Sequence, residues 1–260
     1  MSRGAAFFDL DKTLMAGSSG MVWARVSREA GMMPRRQMAK WAVDHLRYRL
    51  RGASDEAAAA LLREVRDLLE GMPSRDLERL GPQVLAGVLP RIYPQMLDEV
   101  HSHQDAERAT FIVSAAGLEL VEMLANVLGM EGGIGTRYEV DGAGRFTGRL
   151  DGPFMYGEGK VEAVRRFAES HSIDLQASWA YSDSASDLPM LRAVGNPVVV
   201  NPDEELARIA REHGWRVMRF EKLGRRLAIA GATLTAAALG GLGSVMASRR
   251  RARGKRRSLR

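Results

Sequence analysis

Residues 5–14 read Ala-Ala-Phe-Phe-Asp-Leu-Asp-Lys-Thr-Leu, so a short apolar run ends in two carboxylates, Asp9 and Asp11. An apolar run of this length predicts a buried strand. Similar strand-like runs occur four more times along the chain. They are Thr110 to Val113 before Ser114, Trp179 to Ser182 before Asp183, Pro197 to Val200 before Asn201, and Trp215 to Met218.

Strand-like and helix-like stretches alternate, and Asp203 to His213, with apolar residues at helical spacing, separates the last two runs. This alternation predicts crossover connections and an α/β fold, a doubly wound parallel sheet with helices on both faces. Ligands of such folds gather outside the carboxyl ends of the strands. We therefore expect the functional residues directly after strands.

Two segments are additional to this alternation of strands and helices. Between Leu14 and Thr110 lie 95 residues, whereas one crossover needs only about a dozen. Helical periodicity in this stretch predicts a helical cap over residues 15–89, with the catalytic core formed by residues 1–14 and 90–222. The periodic segments are Met21 to Ala30, Arg36 to Arg51 and Asp55 to Leu69. A hairpin is predicted where Thr136 to Val140 and Arg145 to Leu150 flank Asp-Gly-Ala-Gly.

The composition of the 260 residues, 45% apolar and 27% charged, is that of an ordinary globular protein. It excludes a disordered chain and a membrane protein with many spans. Because the chain has no cysteine, disulfides and thiolate metal sites are excluded, and any metal must bind oxygen or imidazole. The N-terminus reaches Asp9 before a signal-peptide apolar region can form, so we expect no cleaved leader and a cytoplasmic catalytic domain.

The net charge of +6 is unevenly distributed. From Arg219 onward, twelve basic residues accompany one acid, Glu221, which gives this segment +11 and leaves −5 for residues 1–218. A basic block attracts phosphates, so a nucleic-acid arm is one interpretation. Residues 223–260 contain no aromatic ring on which bases could stack, and we predict no specific nucleic-acid partner.

Residues 223–248 are predicted to form a hydrophobic helix, followed by a basic tail over residues 249–260. The uncharged stretch from Leu227 to Ala247 has 21 residues, enough to cross a hydrocarbon layer of about 30 Å. A spanning helix would carry eight basic residues to the outer side, against the positive-inside tendency, whereas a helix lying on the membrane would not. Small residues at every fourth position would also suit self-association or docking on another protein. We predict membrane association, with the two modes left open.

Asp9 and Asp11 stand at a strand end, where one loop can turn both carboxylates toward a single ligand. A carboxylate can attack phosphorus to give an aspartyl-phosphate, while its neighbour protonates the leaving oxygen and then activates water. Asp9 would attack and Asp11 would transfer protons. The alternative is an acidic turn without chemistry.

Two further positions suit a phosphate. Ser114 offers a hydroxyl and backbone amides at the end of another strand, although a serine there can equally cap a turn or helix. Lys160 precedes an amphipathic run, Val161 to Ser170, so its charge and the helix N-terminus would both favour an anion. The alternative for Lys160 is a solvated surface charge.

Asp183 and Asp187 lie four positions apart in a loop rich in small residues. Mg²⁺ prefers oxygen ligands and commonly takes one or two carboxylates together with phosphate and water. Asp183 with Asp9 would meet that need. A turn-forming Asp183 and a helix-capping Asp187 are the structural alternative.

In their order along the chain, these residues resemble the four motifs of the haloacid dehalogenase superfamily of phosphotransferases. The helical insertion resembles the subgroup that includes phosphoserine phosphatases, and Tyr181 to Leu191 with Gly195 to Asp203 is similar to the bacterial subfamily IB hydrolases. The resemblance covers residues 5 to about 220. It implies Asp9 as nucleophile and metal ligand, Asp11 as acid and base with its backbone carbonyl on Mg²⁺, Ser114 and Lys160 on the phosphoryl oxygens, Asp183 on the metal, and Asp187 supporting the metal directly or through water.

The cap departs from the phosphoserine phosphatase pattern, which implies a glutamate shortly after the first motif and a cap arginine. Met15 to Gly20 contains no acid, and Val65-Arg66 straddles the arginine position. A buried substrate ammonium without a partner would cost about 1 to 3 kcal/mol, so phosphoserine is disfavoured. Other cap residues would suit an amphipathic phosphate ester, although apolar residues at helical spacing also form cores. They are Met21, Trp23, Met32, Met33, Trp41 and Tyr48 with Arg25, Arg28, Arg47 and Arg49.

The sequence therefore predicts a Mg²⁺-dependent phosphomonoesterase that acts through an aspartyl-phosphate on Asp9 and is tethered to the cytoplasmic membrane. The substrate would be a phosphorylated small molecule or lipid. Two alternatives remain: a soluble-metabolite phosphatase, and a non-catalytic phospho-ligand or membrane adaptor that retained the fold.

Overall fold

The structure is a computed structural model that describes residues 3–32 and 55–220. The described residues up to Met218 form one compact unit. The predicted helix at Arg36 to Arg51, the hydrophobic segment and the basic tail lie outside the described residues. The predicted boundaries between core and cap stay a prediction.

Strands and helices follow each other as an α/β fold requires. The strands are β1 (Ala5–Asp9), β2 (Ala109–Gly117), β3 (Gly132–Thr136), β4 (Tyr138–Val140), β5 (Phe146–Leu150), β6 (Trp179–Ser182), β7 (Asn196–Val200) and β8 (Arg216–Met218). The helices are α1 (Ser19–Glu29), α2 (Asp55–Leu69), α3 (Ser74–Val88), α4 (Pro94–Asp105), α5 (Leu118–Val127), α6 (Glu158–Ser170), α7 (Leu188–Ala193) and α8 (Glu204–His213).

Six of the strands form a parallel sheet in the order β3-β2-β1-β6-β7-β8. The predicted α/β fold with a parallel sheet is therefore confirmed. The strand β1 is central, with β2 and β6 as its neighbours. The predicted hairpin is present as the antiparallel pair β4-β5, but Thr136, which we assigned to it, belongs to β3.

Both faces of the sheet are covered, because neighbouring residues of β1 point to opposite sides. Phe7 belongs to a buried apolar cluster that includes Val161 and Val164 of α6. On the other face, the Phe8 ring stacks on Tyr181 with 4.4 Å between centroids and meets the His103 ring of α4 edge-on. The sheet is thus packed on both faces, as a parallel sheet normally is.

The segments predicted as cap helices are helical where the structure describes them. Helix α2 has the predicted bounds, and Gly71, which follows its end, adopts a positive φ of 77°. Helix α1 begins at Ser19, two residues before the predicted Met21. The residues after α2 bond to β5, with the Gly71 amide donating to the Phe146 carbonyl over 2.8 Å.

Between residues 3 and 32 and between residues 55 and 220, no helix is both long and apolar enough to span a bilayer. Residues 227–247, for which we predict membrane association, lie outside these ranges.

Candidate active site

The parallel strands bring the predicted site residues to one edge of the sheet. Asp9 is the last residue of β1, and its neighbour Phe8 is in register with Ile112 of β2 and Tyr181 of β6. Two positions beyond these partners stand Ser114 and Asp183. The structure brings six predicted residues to the wall of one cavity of about 410 Å³: Asp9, Asp11, Ser114, Lys160, Asp183 and Asp187.

Lys160 lies at the centre of the charged cluster. Its Nζ donates to Asp9 Oδ1 over 2.7 Å and to Asp187 Oδ2 over 2.8 Å. The residue is only 3% exposed, so the alternative of a solvated surface charge is wrong. Burial by itself would lower the pKa of Lys160, but Asp187 and Asp9 outweigh it and hold the pKa above its usual value. The site therefore contains a fixed positive charge.

The backbone that carries Lys160 is closely packed at the start of α6. A Cβ added to Gly159 would lie 2.1 Å from the carbonyl oxygen of Phe154, far closer than any allowed contact. Glycine is required because two backbone segments meet here. This close contact fixes the first turn of α6 and with it the origin of the Lys160 side chain.

Asp9 is held on both of its oxygens. Thr13 Oγ1 donates to Asp9 Oδ2 over 2.9 Å, while Lys160 occupies Oδ1. Burial raises the pKa of Asp9 to about 6; Lys160 opposes this shift and the charge of Asp187 adds to it. The carboxylate is thus oriented and only partly neutralised.

Asp187 makes bonds that the sequence did not reveal. Its Oδ2 accepts from Ser182 Oγ over 2.7 Å as well as from Lys160. Although Asp187 occupies the N-cap position of α7, its side chain makes no capping hydrogen bond. The capping alternative is therefore wrong, and the Asp187 carboxylate belongs to the charged cluster around Lys160.

Asp183 has a longer contact with a cation than Asp9 and Asp187 have. The nearest cation is Lys12, whose Nζ is 3.6 Å from Asp183 Oδ2 and whose side chain is 43% exposed. Burial raises the pKa of Asp183 to about 8; Lys12 opposes the shift and the charge of Asp9 adds to it. Asp9 and Asp183 therefore act on each other electrostatically in one site.

Asp11 and Ser114 are held by backbone amides. The Ser19 amide, at the start of α1, donates to Asp11 Oδ1 over 2.8 Å. Ser114 Oγ accepts from the Ala116 amide over 3.2 Å. This is the hydrogen bond expected of a serine that caps a turn. Because that bond uses a lone pair of the hydroxyl, the Ser114 hydrogen can still be donated to an anion in the cavity.

The predicted metal ligands fit Mg²⁺ by their chemistry, since they are carboxylate oxygens and the backbone carbonyl oxygen of Asp11. The described parts of the chain hold no preassembled group of three or more His, Cys, Asp or Glu side chains of the kind that binds a metal. A Mg²⁺ site requires only one or two carboxylates, with phosphate and water completing it. Asp9 and Asp183, both buried and both with a raised pKa, are the carboxylates that would hold a divalent cation, whose charge would stabilise their ionised forms.

Much of the apolar part of the cavity wall comes from helices α1, α2, α3 and α5. Val65 lines the cavity, whereas Arg66 does not, and its guanidinium donates to the Gly148 carbonyl. Met21 and Trp23 both pack against Ala24, and Trp23 also lines the cavity as expected for an apolar pocket, whereas Met21 does not. The expected contributions of Met33, Trp41, Tyr48, Arg47 and Arg49 lie outside the described residues.

Sequence reasoning missed Thr13, Ser182 and Ser19 as supporting groups. Thr13 stands in the first motif, and Ser182 directly precedes Asp183, so their positions gave a signal that was not used. The Ser19 amide gave none, because a backbone donor has no sequence signature.

Known proteins resemble the chain in sequence and in structure. A family model described as haloacid dehalogenase-like hydrolase matches residues 6–192. A phosphoserine phosphatase of Mycobacterium tuberculosis is 35% identical over 254 residues, which cover 96% of this chain and 82% of that protein. A histidinol-phosphatase of Neisseria meningitidis is 30% identical over 223 residues, covering 84% of this chain and 100% of that protein. A crystal structure of a protein of unknown function from Bordetella pertussis matches with a TM-score of 0.72 and 29% identity, over 84% of this chain and 99% of that one.

Proposed function

Since the chain belongs to the haloacid dehalogenase-like hydrolase family and is a phosphatase of that family, we propose how it acts. It is a Mg²⁺-dependent phosphomonoesterase that forms an aspartyl-phosphate on Asp9. The observation that carries the proposal is the buried triad of Asp9, Lys160 and Asp187. A lysine ammonium fixed beside a carboxylate stabilises the negative charge of a phosphoryl group as that carboxylate approaches it.

The residues would divide the reaction into two displacements. In the first, a carboxylate oxygen of Asp9 bonds to phosphorus and the ester P–O bond breaks, while Asp11 in its acid form gives its proton to the leaving alkoxide. In the second, Asp11 takes a proton from water, the water oxygen bonds to phosphorus, and the bond to Asp9 breaks to release phosphate. Ser114 and Lys160 would bind the phosphoryl oxygens throughout.

Asp9, Asp183 and the backbone carbonyl of Asp11 would hold the Mg²⁺, and Asp187 would support it directly or through water. When bound, the cation supplies positive charge that offsets the repulsion between the carboxylates and an incoming phosphate. The raised pKa of Asp183, caused mainly by burial, supports this assignment, because a buried carboxylate needs a compensating charge to remain ionised.

The test is hydrolysis of p-nitrophenyl phosphate with Mg²⁺ by the wild type, Asp9→Asn and Asp183→Asn. We expect both variants to lose nearly all activity, and the wild type to lose it when the metal is chelated. Asp141→Asn, in the exposed turn of the β4-β5 hairpin, is the matched control. Activity that survives in Asp9→Asn would overturn the nucleophile assignment.

The substrate is open within phosphomonoesters. The names of the two relatives point to phosphoserine or histidinol phosphate as soluble substrates, whereas the cavity, with Trp23 and Val65 in its wall, favours a bulkier or amphipathic ester. Phosphoserine is disfavoured because Arg66, near the position expected for an arginine that binds the substrate carboxylate, donates to the Gly148 carbonyl and does not line the cavity.

We also propose that residues 227–260 associate with anionic membranes. Support comes from the uncharged 21-residue stretch and the eight basic residues after Ser248. The full chain should co-sediment with vesicles of phosphatidylcholine and phosphatidylglycerol, and a chain ending at residue 222 should stay in the supernatant. A full chain that stays in the supernatant would contradict the tether.

A further inference from the structure

The apolar part of the active-site cavity contains an unusual carboxylate. Apolar side chains form this wall, among them Trp23, Leu120 and Met123. Glu119, in the first turn of α5, lines the same cavity, and its Oε2 is shielded from solvent without any hydrogen-bond partner. A buried carboxylate oxygen left unpaired is costly. Because Glu119 itself lines the ligand cavity, a cationic group of a ligand that contacts this carboxylate would lower that cost.

The surroundings of Glu119 favour a cation. A Cβ added to Gly117 would lie 3.2 Å from Glu119 Oε2 and 3.6 Å from Tyr138 Cε2, so the carboxylate and the tyrosine ring stand side by side around this glycine. Burial, and then the negative charge of Glu119, raise the pKa of Tyr138 above its usual value. The face of an aromatic ring and a carboxylate both attract an ammonium group.

Basic side chains do not supply that cation in the described part of the chain. Among its residues, the basic side chains that line the cavity are Lys12 and Lys160. Lys12 pairs with Asp183, and Lys160 pairs with Asp9 and Asp187. A second acid, Glu78, also lines the cavity, so a carboxylate on the substrate would meet two like charges.

We propose that Glu119 is a specificity-determining residue that binds a cationic group of the substrate, so that the enzyme acts on phosphomonoesters of amino alcohols that carry no carboxylate. The inference rests on the proposed phosphatase function. The phosphate binds at Asp9 and Lys160, the apolar wall contacts the carbon chain, and the ammonium lies between Glu119 and Tyr138.

The experiment compares ω-aminoalkyl phosphates of two to six carbons with alkyl phosphates of the same length. For each pair, kcat/KM is measured and the ratio of amine to alkyl ester is taken within one enzyme preparation. Any loss of folded enzyme then cancels from the ratio. O-phosphoserine is included beside phosphoethanolamine, because these two esters differ only by the carboxylate.

The wild type should prefer the amine by about tenfold or more at the best chain length, as expected for a hydrogen bond to a charged group in a shielded site. It should also prefer phosphoethanolamine to O-phosphoserine. Glu119→Gln should bring the amine-to-alkyl ratio close to one, and Glu119→Lys should bring it below one. Glu122→Gln, at an exposed position of the same helix, should keep the wild-type ratio.

The two proposals fail in different ways. If neither series is hydrolysed and p-nitrophenyl phosphate is also unreacted, the phosphatase function itself is overturned. If the alkyl esters are hydrolysed with dependence on Asp9 but the amine gives no preference, the role of Glu119 is overturned. A preference that persists unchanged in both Glu119→Gln and Glu119→Lys would also overturn it.

Discussion

The Nζ atom of Lys160 lies 2.7 Å from Oδ1 of Asp9, although 151 positions separate the two residues in the chain. Asp9 is at the end of the central strand β1, and Lys160 is in the first turn of α6. Their contact therefore forms only when the strand and the helix are correctly packed. For this reason the site and the fold depend on the same residues.

Replacement of Lys160 by Met removes the buried cation and leaves Asp9 and Asp187 facing each other without compensation. We expect kcat/KM for p-nitrophenyl phosphate to fall at least 100-fold, because a group that stabilises transferred charge is lost. The free energy of unfolding should fall by about 3–5 kcal/mol. Urea titration and rates normalised to folded enzyme measure the two effects.

Arg166→Met is the control for that substitution, since Arg166 lies on the same helix in an exposed ion pair with Glu162. Its effect on stability should stay within about 1 kcal/mol. Equal losses in the two variants would contradict a special role for the buried lysine.

Gly159→Ala tests whether the close backbone contact at the start of α6 positions Lys160. The new Cβ would lie 2.1 Å from the Phe154 carbonyl oxygen, so the first turn must shift and carry Lys160 away from Asp9. We expect a loss of about 1–3 kcal/mol in stability and at least tenfold in kcat/KM. Gly142→Ala, where the added Cβ meets nothing within 4 Å, should leave both unchanged; a similar loss there would refute the steric argument.

His103 makes the stability of the fold depend on pH. Its ring contacts Phe8 and Trp179, and burial, then the charge of Arg108, lower its pKa to about 4. The unfolded chain takes up this proton near pH 6.5, so it binds more protons than the folded chain between about pH 6.5 and 4. The free energy of unfolding should therefore fall as the pH falls through this window, by about 2–4 kcal/mol from this group.

His103→Gln should remove this part of the acid sensitivity, as measured by urea titrations at pH 7 and pH 4.5. His101→Gln, at an exposed position of the same helix, should keep the wild-type difference between the two pH values. If His103→Gln loses as much stability on acidification as the wild type, the buried neutral histidine is not the cause.

Much of the core could be predicted from sequence because its signals are local. Uninterrupted apolar runs predicted β1 and β2, and helical spacing predicted the bounds of α2. The rule that parallel strands end at the same edge predicted that Asp9, Ser114 and Asp183 would meet.

Features set by tertiary packing could not be predicted in this way. The strand β3, Gly132–Thr136, has three glycines and no strand-forming pattern; it is a strand because α5 packs closely against it, and a Cβ at Gly133 would lie 2.5 Å from Val121 Cγ1. In the same way, the sequence placed Lys160 near a phosphate but did not show that Lys160 and Ser182 both donate to Oδ2 of Asp187. The unpaired Oε2 atom of Glu119 likewise depends on tertiary packing, here of α5 beside Tyr138 of the hairpin.

The most direct test of the central proposal is to trap the acyl phosphate chemically. The enzyme is mixed with Mg²⁺ and a phosphomonoester, quenched during turnover, reduced with borohydride and digested for mass spectrometry. An aspartyl-phosphate on Asp9 predicts homoserine at position 9 in the wild type and none in the absence of substrate. Turnover without homoserine at position 9, or with homoserine at position 11 or 183 instead, would contradict Asp9 as the nucleophile.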